Sequence, residues 1–529
     1  MRYPSFSKPR VFKGAYMGDL PNGFTAFGGI APGSESAANA IRRARAEEAA
    51  AAAKAKSDKS GVQRSSSDAG ARSAYGAGAQ RDSYASRDAY AQRESSAYRG
   101  SGAAQTANQT ASSQASQRKS NSAYLWSTVA DASPAREVGA FDKDELDRLP
   151  GIERRWAWVE IDKSAIRHNV ADVRRHMASR TRLMAVVKAD GYGHGAVEVS
   201  KAMLGAGADR LAVSNVDEAI DLRKAGISVP ILILAQPPAA TIPLLLAYNI
   251  VPSIYTPEFA IAYAEAADLH GMKAPYHLAI NTGMNRIGVR HDDVIEFLYQ
   301  VNFHRALELE GTYTHFATAD GSETLDFQIQ TKHFLEAIAN MQAAGFPPGL
   351  VHAANSAATY RYPDVHFDMV RCGLALYGFH PCRETRDIAD LRPAMSVYAR
   401  ITDTRTVPMS EGVSYGLHYR SPGSVKICTV PIGFANGLRR SLSGNLDFIM
   451  GGRYYHQVGN ICMDQCMFEV DLRSSATRER IDPQIGDLVT IVGSQGIAEV
   501  TIDEMAAKLG TIQYEVAIGL SQGMERVYV

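Results

Sequence analysis

The sequence predicts an α/β protein: a (β/α)₈ barrel of the TIM type, then a mainly β C-terminal domain. Three observations lead to this prediction. Eight short apolar segments alternate with helical patterns between residues 183 and 372. Helical periodicity fades after about Gly378, where β-rich runs with Gly and Pro turns take over. Residues 31–127 almost lack Leu, Ile, Val and Phe, so residues 1–150 are expected to form a disordered, low-complexity extension.

The predicted domains are therefore residues 1–150, residues 151–383 for the barrel and residues 384–529 for the β domain. A strand at 156–161 and a helix at 162–177 are expected before the barrel strands, and a short helix is expected at 142–149. The barrel strands are predicted near residues 183–187, 210–214, 230–234, 249–252, 275–281, 309–314, 350–353 and 368–372. Helices are predicted at residues 196–204, 216–225, 257–270, 292–301 and 327–344. Strands of the β domain are expected within residues 396–407, 425–432 and 488–492.

Composition excludes several classes of protein. The 529 residues carry 56 basic and 56 acidic side chains, so net charge favours neither a nucleic-acid nor a membrane partner. The five cysteines include no CxxC pair, which argues against a zinc site or a disulfide framework and fits a reducing compartment. No apolar run reaches the roughly 18 residues that span a bilayer, and the N-terminus lacks a signal-peptide pattern. We therefore expect a cytoplasmic location.

The most informative motif is Ala-Val-Val-Lys-Ala-Asp-Gly-Tyr-Gly-His-Gly at residues 185–195. Lys188 follows an apolar strand and precedes a glycine-rich loop and a helix. Because active sites of such barrels lie at the C-terminal ends of the strands, Lys188 is expected in the site. Partial desolvation there lowers the pKa of a lysine and frees its amine for Schiff-base chemistry. An isolated lysine at a strand end more often only extends to solvent.

Lys188 does not stand alone. With Tyr192, His194 and the later motifs, the stretch resembles the alanine racemases, enzymes of fold type III that use pyridoxal 5′-phosphate (PLP). The resemblance covers about residues 154–526, and it implies PLP as cofactor, bound covalently by Lys188. The residues that it implies for the PLP phosphate and its surroundings are Tyr192, His352, Asn355, Ser356 and the backbone amides of Gly373 and Leu374.

The resemblance also assigns the acid–base groups. Arg371 matches the arginine at the pyridine nitrogen, with His352 orienting it. A guanidinium cannot readily protonate that nitrogen, so the ring is a weaker electron sink and proton return is favoured over transamination. Racemisation needs an acid–base group on each face of Cα. Lys188 matches one, and Tyr415, delivered by the second subunit of a homodimer, matches the other. His315 matches the histidine that supports this network.

For the substrate, the resemblance implies Arg286 at the carboxylate, with Met463 and Asp464 of the partner subunit closing over it. Gln522 stands where the family has a tyrosine that narrows the pocket. Three further positions also depart from the family pattern. Ala279 replaces a lysine that is carbamylated in many members and braces the arginine, Asn281 replaces a common aspartate, and Phe434 replaces a tyrosine at the active-site entrance. Arg286 must then be held in another way, for example by a bound chloride.

Several functions remain open at this point. The resemblance favours racemisation of L-alanine to D-alanine for peptidoglycan precursors. The changes at Ala279, Phe434 and Gln522 also fit a serine or broad-specificity racemase. A non-enzymatic PLP-binding protein is the alternative of another class, but such proteins are single barrels without a β domain. No metal is expected, and the N-terminal extension is interpreted as an interaction or localisation arm with an unknown partner.

Overall fold

The computed structural model describes residues 148, 150–471 and 482–529. Except for residues 148 and 150, the predicted extension and the predicted helix at 142–149 lie outside the described residues. The predicted fold class is confirmed: a closed eight-stranded parallel barrel with surrounding helices is combined with a large, mainly antiparallel sheet. Within the described part of the chain, no helix is both long and apolar enough to cross a membrane.

Eleven α-helices of the described residues are labelled here in chain order. They are α1 (Gly151–Arg155), α2 (Lys163–Arg175), α3 (Ala196–Gly205), α4 (Val216–Lys224), α5 (Ile242–Ala247), α6 (Pro257–Leu269), α7 (Val294–Val301), α8 (Leu325–Ala343), α9 (Ser356–Arg361), α10 (Ile502–Leu509) and α11 (Gln513–Leu520). Several begin at the caps that their sequences suggest. Asp162, for example, accepts hydrogen bonds from the amides of Ser164 and Ala165 at the start of α2.

The strands fall into two groups. Those of the first part of the chain are β1 (Ala157–Ile161), β2 (Arg182–Val186), β3 (Arg210–Val213), β4 (Ile231–Ile233), β5 (Val251–Ile254), β6 (Ala274–Asn281), β7 (Val289–Arg290), β8 (Leu307–Tyr313), β9 (Leu350–His352) and β10 (Met369–Cys372). The others are β11 (Met395–Arg400), β12 (Asp403–Val407), β13 (Gly412–Val413), β14 (Tyr419–Arg420), β15 (Val425–Val430), β16 (Asp447–Met450), β17 (Arg453–Val458), β18 (Cys466–Asp471), β19 (Leu488–Gln495), β20 (Ala498–Val500) and β21 (Glu525–Tyr528).

The barrel consists of β2, β3, β4, β5, β6, β8, β9 and β10, all parallel, and the pairing of β10 with β2 closes it. Each strand lies where the sequence predicts one. Most barrel strands are buried because helices cover them from outside, which explains why they read as apolar runs. β8 differs, because Glu308 and Glu310 lie in its first half and Glu308 is exposed. Their C-terminal ends share one rim, where Lys188 follows β2.

The C-terminal β-rich part forms a second sheet in the order β12-β15-β18-β17-β16-β19-β11-β1-β21, with β20 beside β19. β1 precedes the barrel in the chain but pairs with β11 and β21 of this sheet. The second sheet therefore contains a strand from residues that precede the barrel. The domain boundaries at residues 151, 383 and 384 remain predictions.

The last helix and strand pack against the loop that follows Lys188. A Cβ on Gly195, where φ is +88°, would lie 1.8 Å from the Oη of Tyr528 in β21. A Cβ on Gly193, at φ +83°, would lie 2.8 Å from the carbonyl oxygen of Ala517 in α11. Glycine is thus required at both positions by backbone conformation and by close approach. These contacts anchor the lysine loop to the C-terminal part of the chain.

Candidate active site

A cavity of about 270 Å³ lies at the C-terminal ends of the barrel strands. The residues that line it are Lys188, Ser214, Leu234, Ala235, Ala279, Ile280, Asn281, Thr282, Met284, Arg286, Ile287, Tyr313, Thr314, His315 and Arg371. Three of these described side chains are cationic and none is a carboxylate. The cavity is therefore a site for a ligand with anionic groups.

Lys188 is held at the rim by an unusual turn. Ala189, Asp190, Gly191 and Tyr192 all have φ between +51° and +60°, so the chain makes a left-handed turn immediately after the lysine. This conformation costs free energy for residues other than glycine, and such strain is concentrated at functional sites. The carboxylate of Glu218 accepts the amide of Ala189 at 2.8 Å and helps to hold the turn. Burial and, secondarily, the nearby Arg286 lower the pKa of Lys188 below its usual value.

Arg371 is a buried cation with neutral partners. Its Nη1 donates to Nδ1 of His352 at 3.0 Å and to the carbonyl of the same residue at 3.1 Å. Its Nη2 donates to the carbonyls of Thr314 at 2.7 Å and Ala353 at 3.1 Å, and lies 3.2 Å from Nδ1 of His315. Nε has no hydrogen bond among the described residues and remains available to an acceptor in the cavity. Burial lowers the pKa of Arg371 to about 10, so the group stays charged at neutral pH.

The protonation of both histidines follows from these contacts. A guanidinium only donates, so Nδ1 of His352 and Nδ1 of His315 must be acceptors, and each ring carries its proton on Nε2. Burial lowers the pKa of His315 to about 3, with the charges of Arg371 and Arg286 adding to the effect. Burial also lowers the pKa of His352 well below its usual value. Both rings are neutral at physiological pH.

Beside the cavity, polar groups converge where the phosphate was predicted. Ser356 Oγ accepts the amide of Gly373 at 3.0 Å. A Cβ on Gly373 would lie 2.5 Å from the Oη of Tyr192, so only glycine permits this approach. Leu374 opens a 3₁₀ turn, and its N–H therefore has no partner within that turn. Asn355 accepts the amide of Ala358 at 3.0 Å as the cap of α9.

These features fit PLP. The cradle around Gly373 offers hydroxyl and amide donors to a phosphate, Arg371 offers Nε to a ring nitrogen, and Lys188 offers an amine with a lowered pKa. The three kinds of group that PLP needs are thus assembled from β2, α9 and β10 at one rim of the barrel.

Arg286 lines the cavity and makes no hydrogen bond or ion pair within the described part of the chain. Ala279, which stands where many family members carry a lysine that braces the arginine, is buried in the cavity wall. The loop before Arg286 is held instead by Asn281, whose Oδ1 accepts the amides of Gly283 at 3.1 Å and Asn285 at 3.0 Å. Asn281 thus fixes the backbone of the loop and leaves the arginine side chain free.

The predicted residues of the β domain do not line this cavity. Tyr415 begins a 3₁₀ turn after β13 and is 73 % exposed, and Met463 is 61 % exposed. Asp464 and Gln522 are also exposed, and Phe434 is 42 % exposed. These side chains are therefore accessible to another molecule in the isolated chain.

Sequence reasoning missed several residues that shape the site. Tyr313 stacks against Arg371, with the guanidinium carbon 5.1 Å from the ring centroid. Gln330 donates to the carbonyl of His315 at 3.2 Å and accepts the amide of Ala317 at 2.8 Å. His277 lies 2.7 Å from His352. The sequence offered one indication of these residues, namely a polar residue inside an apolar strand, such as His277 in β6.

Fold and site together define a PLP-dependent barrel enzyme with a second, mainly β part. Family models agree: the N-terminal domain of alanine racemase matches residues 161–381, and its C-terminal domain matches residues 394–528. An alanine racemase of Synechocystis sp. is 40 % identical over 377 residues, which cover 71 % of this chain and 100 % of the relative. The chain belongs to the alanine racemase family, whose members are PLP-dependent.

Solved structures support the same assignment. The alanine racemase from Bacillus anthracis with bound L-Ala-P has a TM-score of 0.66 and 36 % identity, and the match covers 71 % of this chain and 95 % of that chain. A histidine racemase from Leuconostoc mesenteroides subsp. sake has a TM-score of 0.64 and 27 % identity, with coverages of 71 % and 98 %.

Proposed function

We propose that the chain racemises alanine with PLP, using Lys188 and Tyr415 as the two acid–base groups. The observation that carries this proposal is the shared cavity of Lys188 and Arg371, in which the arginine keeps one donor free. When bound, PLP supplies an electron sink that acidifies the Cα–H bond of the amino acid. Arg371 donates to the ring nitrogen without protonating it, which keeps that sink weak and favours return of the proton to Cα.

Lys188 holds or releases the proton on one face of Cα. Its lowered pKa leaves a larger fraction of the amine unprotonated at neutral pH, as a base requires. Arg286 binds the substrate carboxylate, for which a planar guanidinium is well suited. His315 stays neutral and offers Nε2–H towards the reacting groups, while Gly373, Leu374, Ser356 and Tyr192 hold the phosphate.

Tyr415 serves the opposite face of Cα from a second copy of the chain, with Met463 and Asp464 beside it. The proposal of a homodimer with shared sites is supported by the exposure of Tyr415 and Met463 and by the absence of both from the cavity lining among the described residues. A tyrosine exposed on a β domain could then complete the cavity of its partner. Each active site would need both subunits.

The test is chiral product analysis with L-alanine, L-serine, L-histidine and L-lysine, with and without added PLP. We expect D-alanine as the preferred product, lost in Lys188→Ala and in Tyr415→Phe. Exposed Lys201→Ala serves as the matched control, since Glu198 on α3 is the one ion-pair partner of Lys201 among the described residues. A protein that neither binds PLP nor racemises any of the four amino acids would contradict the proposal.

A broader specificity is the second candidate. Phe434 and Gln522 replace tyrosines near the entrance and the inner pocket, and the similar histidine racemase acts on a larger side chain by its name. Serine or a longer amino acid as the preferred substrate in the same panel would favour this candidate.

All five cysteines are free thiols, which supports a cytoplasmic location, testable by cell fractionation.

A further inference from the structure

A line of buried polar groups runs from Arg371 through the barrel interior. Nδ1 of His352 accepts from Arg371 at 3.0 Å, and Nε2 of His352 lies 2.7 Å from Nδ1 of His277. Nε2 of His277 lies 3.4 Å from Oε2 of Glu310, and Oε1 of Glu310 accepts from Nη1 of Arg210 at 2.7 Å. Both histidines are fully buried. The line joins the C-terminal rim to the first residue of β3 at the opposite end of the barrel.

We propose that Glu310 and His277 are positioning residues for Arg371. The Glu310 carboxylate determines which nitrogen of each histidine carries the proton, so that Nδ1 of His352 always accepts a hydrogen bond from the arginine. This inference rests on the proposed role of Arg371 at the cofactor ring.

Arg371 at one end of the line and Glu310 at the other determine which nitrogen of each histidine carries the proton. Arg371 only donates, so His352 must accept at Nδ1 and carry its proton on Nε2. That proton is donated to His277 at Nδ1, which leaves the proton of His277 on Nε2. An ionised carboxylate only accepts, so the Nε2 proton of His277 faces the Glu310 anion 3.4 Å away. The contact is electrostatic, since Nε2 of His277 makes no hydrogen bond among the described residues. The donors all point from Arg371 towards Glu310.

The charge states of Glu310 and the two histidines agree with these proton positions. Burial alone would raise the pKa of Glu310, but contacts with His277 and Arg210 outweigh it and lower the pKa to about 2. Burial lowers the pKa of His277, and that of His352 falls well below its usual value, so both rings are neutral. Glu310 is therefore the anion on this line, and Arg371 has no carboxylate partner of its own among the described residues.

The barrel leaves space for the line. A Cβ on Gly311 would lie 2.6 Å from Cε1 and 2.7 Å from Nδ1 of His277. Glycine at this position allows the imidazole to reach His352 across the neighbouring strand. A side chain there would displace His277 or its own strand.

Glu310→Gln is a sharp test because Arg210 orients the new amide. Arg210 only donates, so the amide oxygen of the glutamine turns to Arg210 and its NH₂ group turns to His277. His277 must then accept at Nε2 and donate from Nδ1, and His352 must accept at Nε2 and carry its proton on Nδ1. Two donors now meet between His352 and Arg371, which pushes the guanidinium away from the ring nitrogen.

The experiment compares Glu310→Gln with Glu308→Gln, a control on the same strand whose carboxylate lies 3.1 Å from the exposed Lys273. We expect Glu310→Gln to shift the visible absorbance maximum of substrate-free, PLP-loaded protein and to weaken PLP binding by fluorescence titration. It should lower kcat for alanine about tenfold or more, the loss of one hydrogen bond to a charged group, with KM within about twofold. Because Glu310→Gln also removes the anionic partner of Arg210, the thermal midpoint of the PLP-free protein should fall below that of Glu308→Gln, and the absorbance shift carries the test.

Arg210 supplies a rescue. In Arg210→Met/Glu310→Gln the amide is free to turn its oxygen to His277, so absorbance and kcat should recover towards those of Arg210→Met alone. A purely structural role of the Arg210–Glu310 pair predicts instead that the double variant recovers in thermal midpoint only and keeps the absorbance and kcat of Glu310→Gln. Recovery of absorbance and kcat supports the proposal, and the absence of that recovery overturns it.

Arg371→Lys separates the two proposals. If this variant changes the absorbance and Glu310→Gln behaves like Glu308→Gln, the line through His277 is overturned and the role of Arg371 stands. If Arg371→Lys keeps the wild-type absorbance and turnover, the proposed role of Arg371 fails and the inference fails with it.

Discussion

Arg371 and Lys188 share a cavity in which cationic side chains outnumber anionic ones. Such an arrangement is costly for the free protein because like charges repel and burial removes water. Anionic groups of a ligand relieve that cost, so binding should stabilise the fold. The identities of both residues were predictable from their motifs. The neutral state of His315 and His352 was not predictable, because it depends on burial and on their contacts with Arg371, which is distant from both in sequence.

Lys188→Arg tests the amine directly. The guanidinium keeps the charge but cannot act as an amine nucleophile or as a base at neutral pH. We expect turnover to fall by at least about 10²-fold, and borohydride reduction of PLP-loaded protein to leave no pyridoxyl group on the peptide that contains position 188. Peptide mass spectrometry measures this. Lys201→Arg should retain both the label and the turnover.

The buried histidines make the PLP-free protein sensitive to acid. The pKa of His315 is lowered from its usual 6.5 to about 3, so below pH 6.5 the unfolded chain binds a proton that the folded chain does not. Stability therefore falls as the pH falls from about 6.5 towards 3, by about 1.4 kcal/mol per pH unit for each such proton. His315→Gln should reduce the slope between pH 6.5 and pH 5 by about one proton.

Urea unfolding at several pH values measures that slope. The control is His270→Gln, the same substitution at the exposed C-terminal end of α6. An equal slope in His315→Gln and the wild type would contradict a neutral, buried His315.

The turn after Lys188 shows what local patterns cannot reveal. The sequence correctly predicts the strand before the lysine and the helix from Ala196, since both follow from apolar periodicity. It predicts only a loop between them. The left-handed conformation at Ala189 and Asp190 goes against their intrinsic preference, and it is held by contacts with Glu218, α11 and β21. Those contacts are distant in sequence, so no local signal encodes them.

Gly195→Ala tests whether these contacts are tight. Gly195 and Gly345 have similar φ values, +88° and +82°, but only Gly195 has a neighbour within 4 Å of its missing Cβ. Gly345→Ala thus measures the cost of the backbone conformation alone, about 1 kcal/mol. Gly195→Ala should cost about 1–3 kcal/mol more in the free energy of unfolding. Adding Tyr528→Phe, which removes the clashing Oη, should recover part of the difference.

Urea denaturation of the PLP-free variants provides these values. Equal destabilisation at positions 195 and 345 would mean that β21 does not press on the lysine loop.

The barrel and the second sheet do not correspond to two consecutive segments of the chain, because β1 precedes the barrel but belongs to the second sheet. Eight barrel strands were predicted at the correct places because each is a short β-prone segment between helical patterns. The pairing of β1 with β11 and β21 was not predictable, since β1 lies 234 residues or more from its partners in sequence. Alternation of apolar and polar residues within a strand indicates a half-buried sheet, but it does not show which strand lies beside it.

In the proposed dimer, Lys188 of one subunit and Tyr415 of another act on the same substrate molecule. Lys188→Ala and Tyr415→Phe homodimers should each be nearly inactive. When the two are mixed at equal concentration, dissociated and reassociated, half of the dimers are hybrids, and one of the two sites in each hybrid carries neither substitution. Racemase activity, followed by chiral analysis of alanine, should therefore recover to about a quarter of the wild-type value. Reassociation with proven hybrid formation but no activity above that of the parents would mean that the two residues do not share an active site across the dimer.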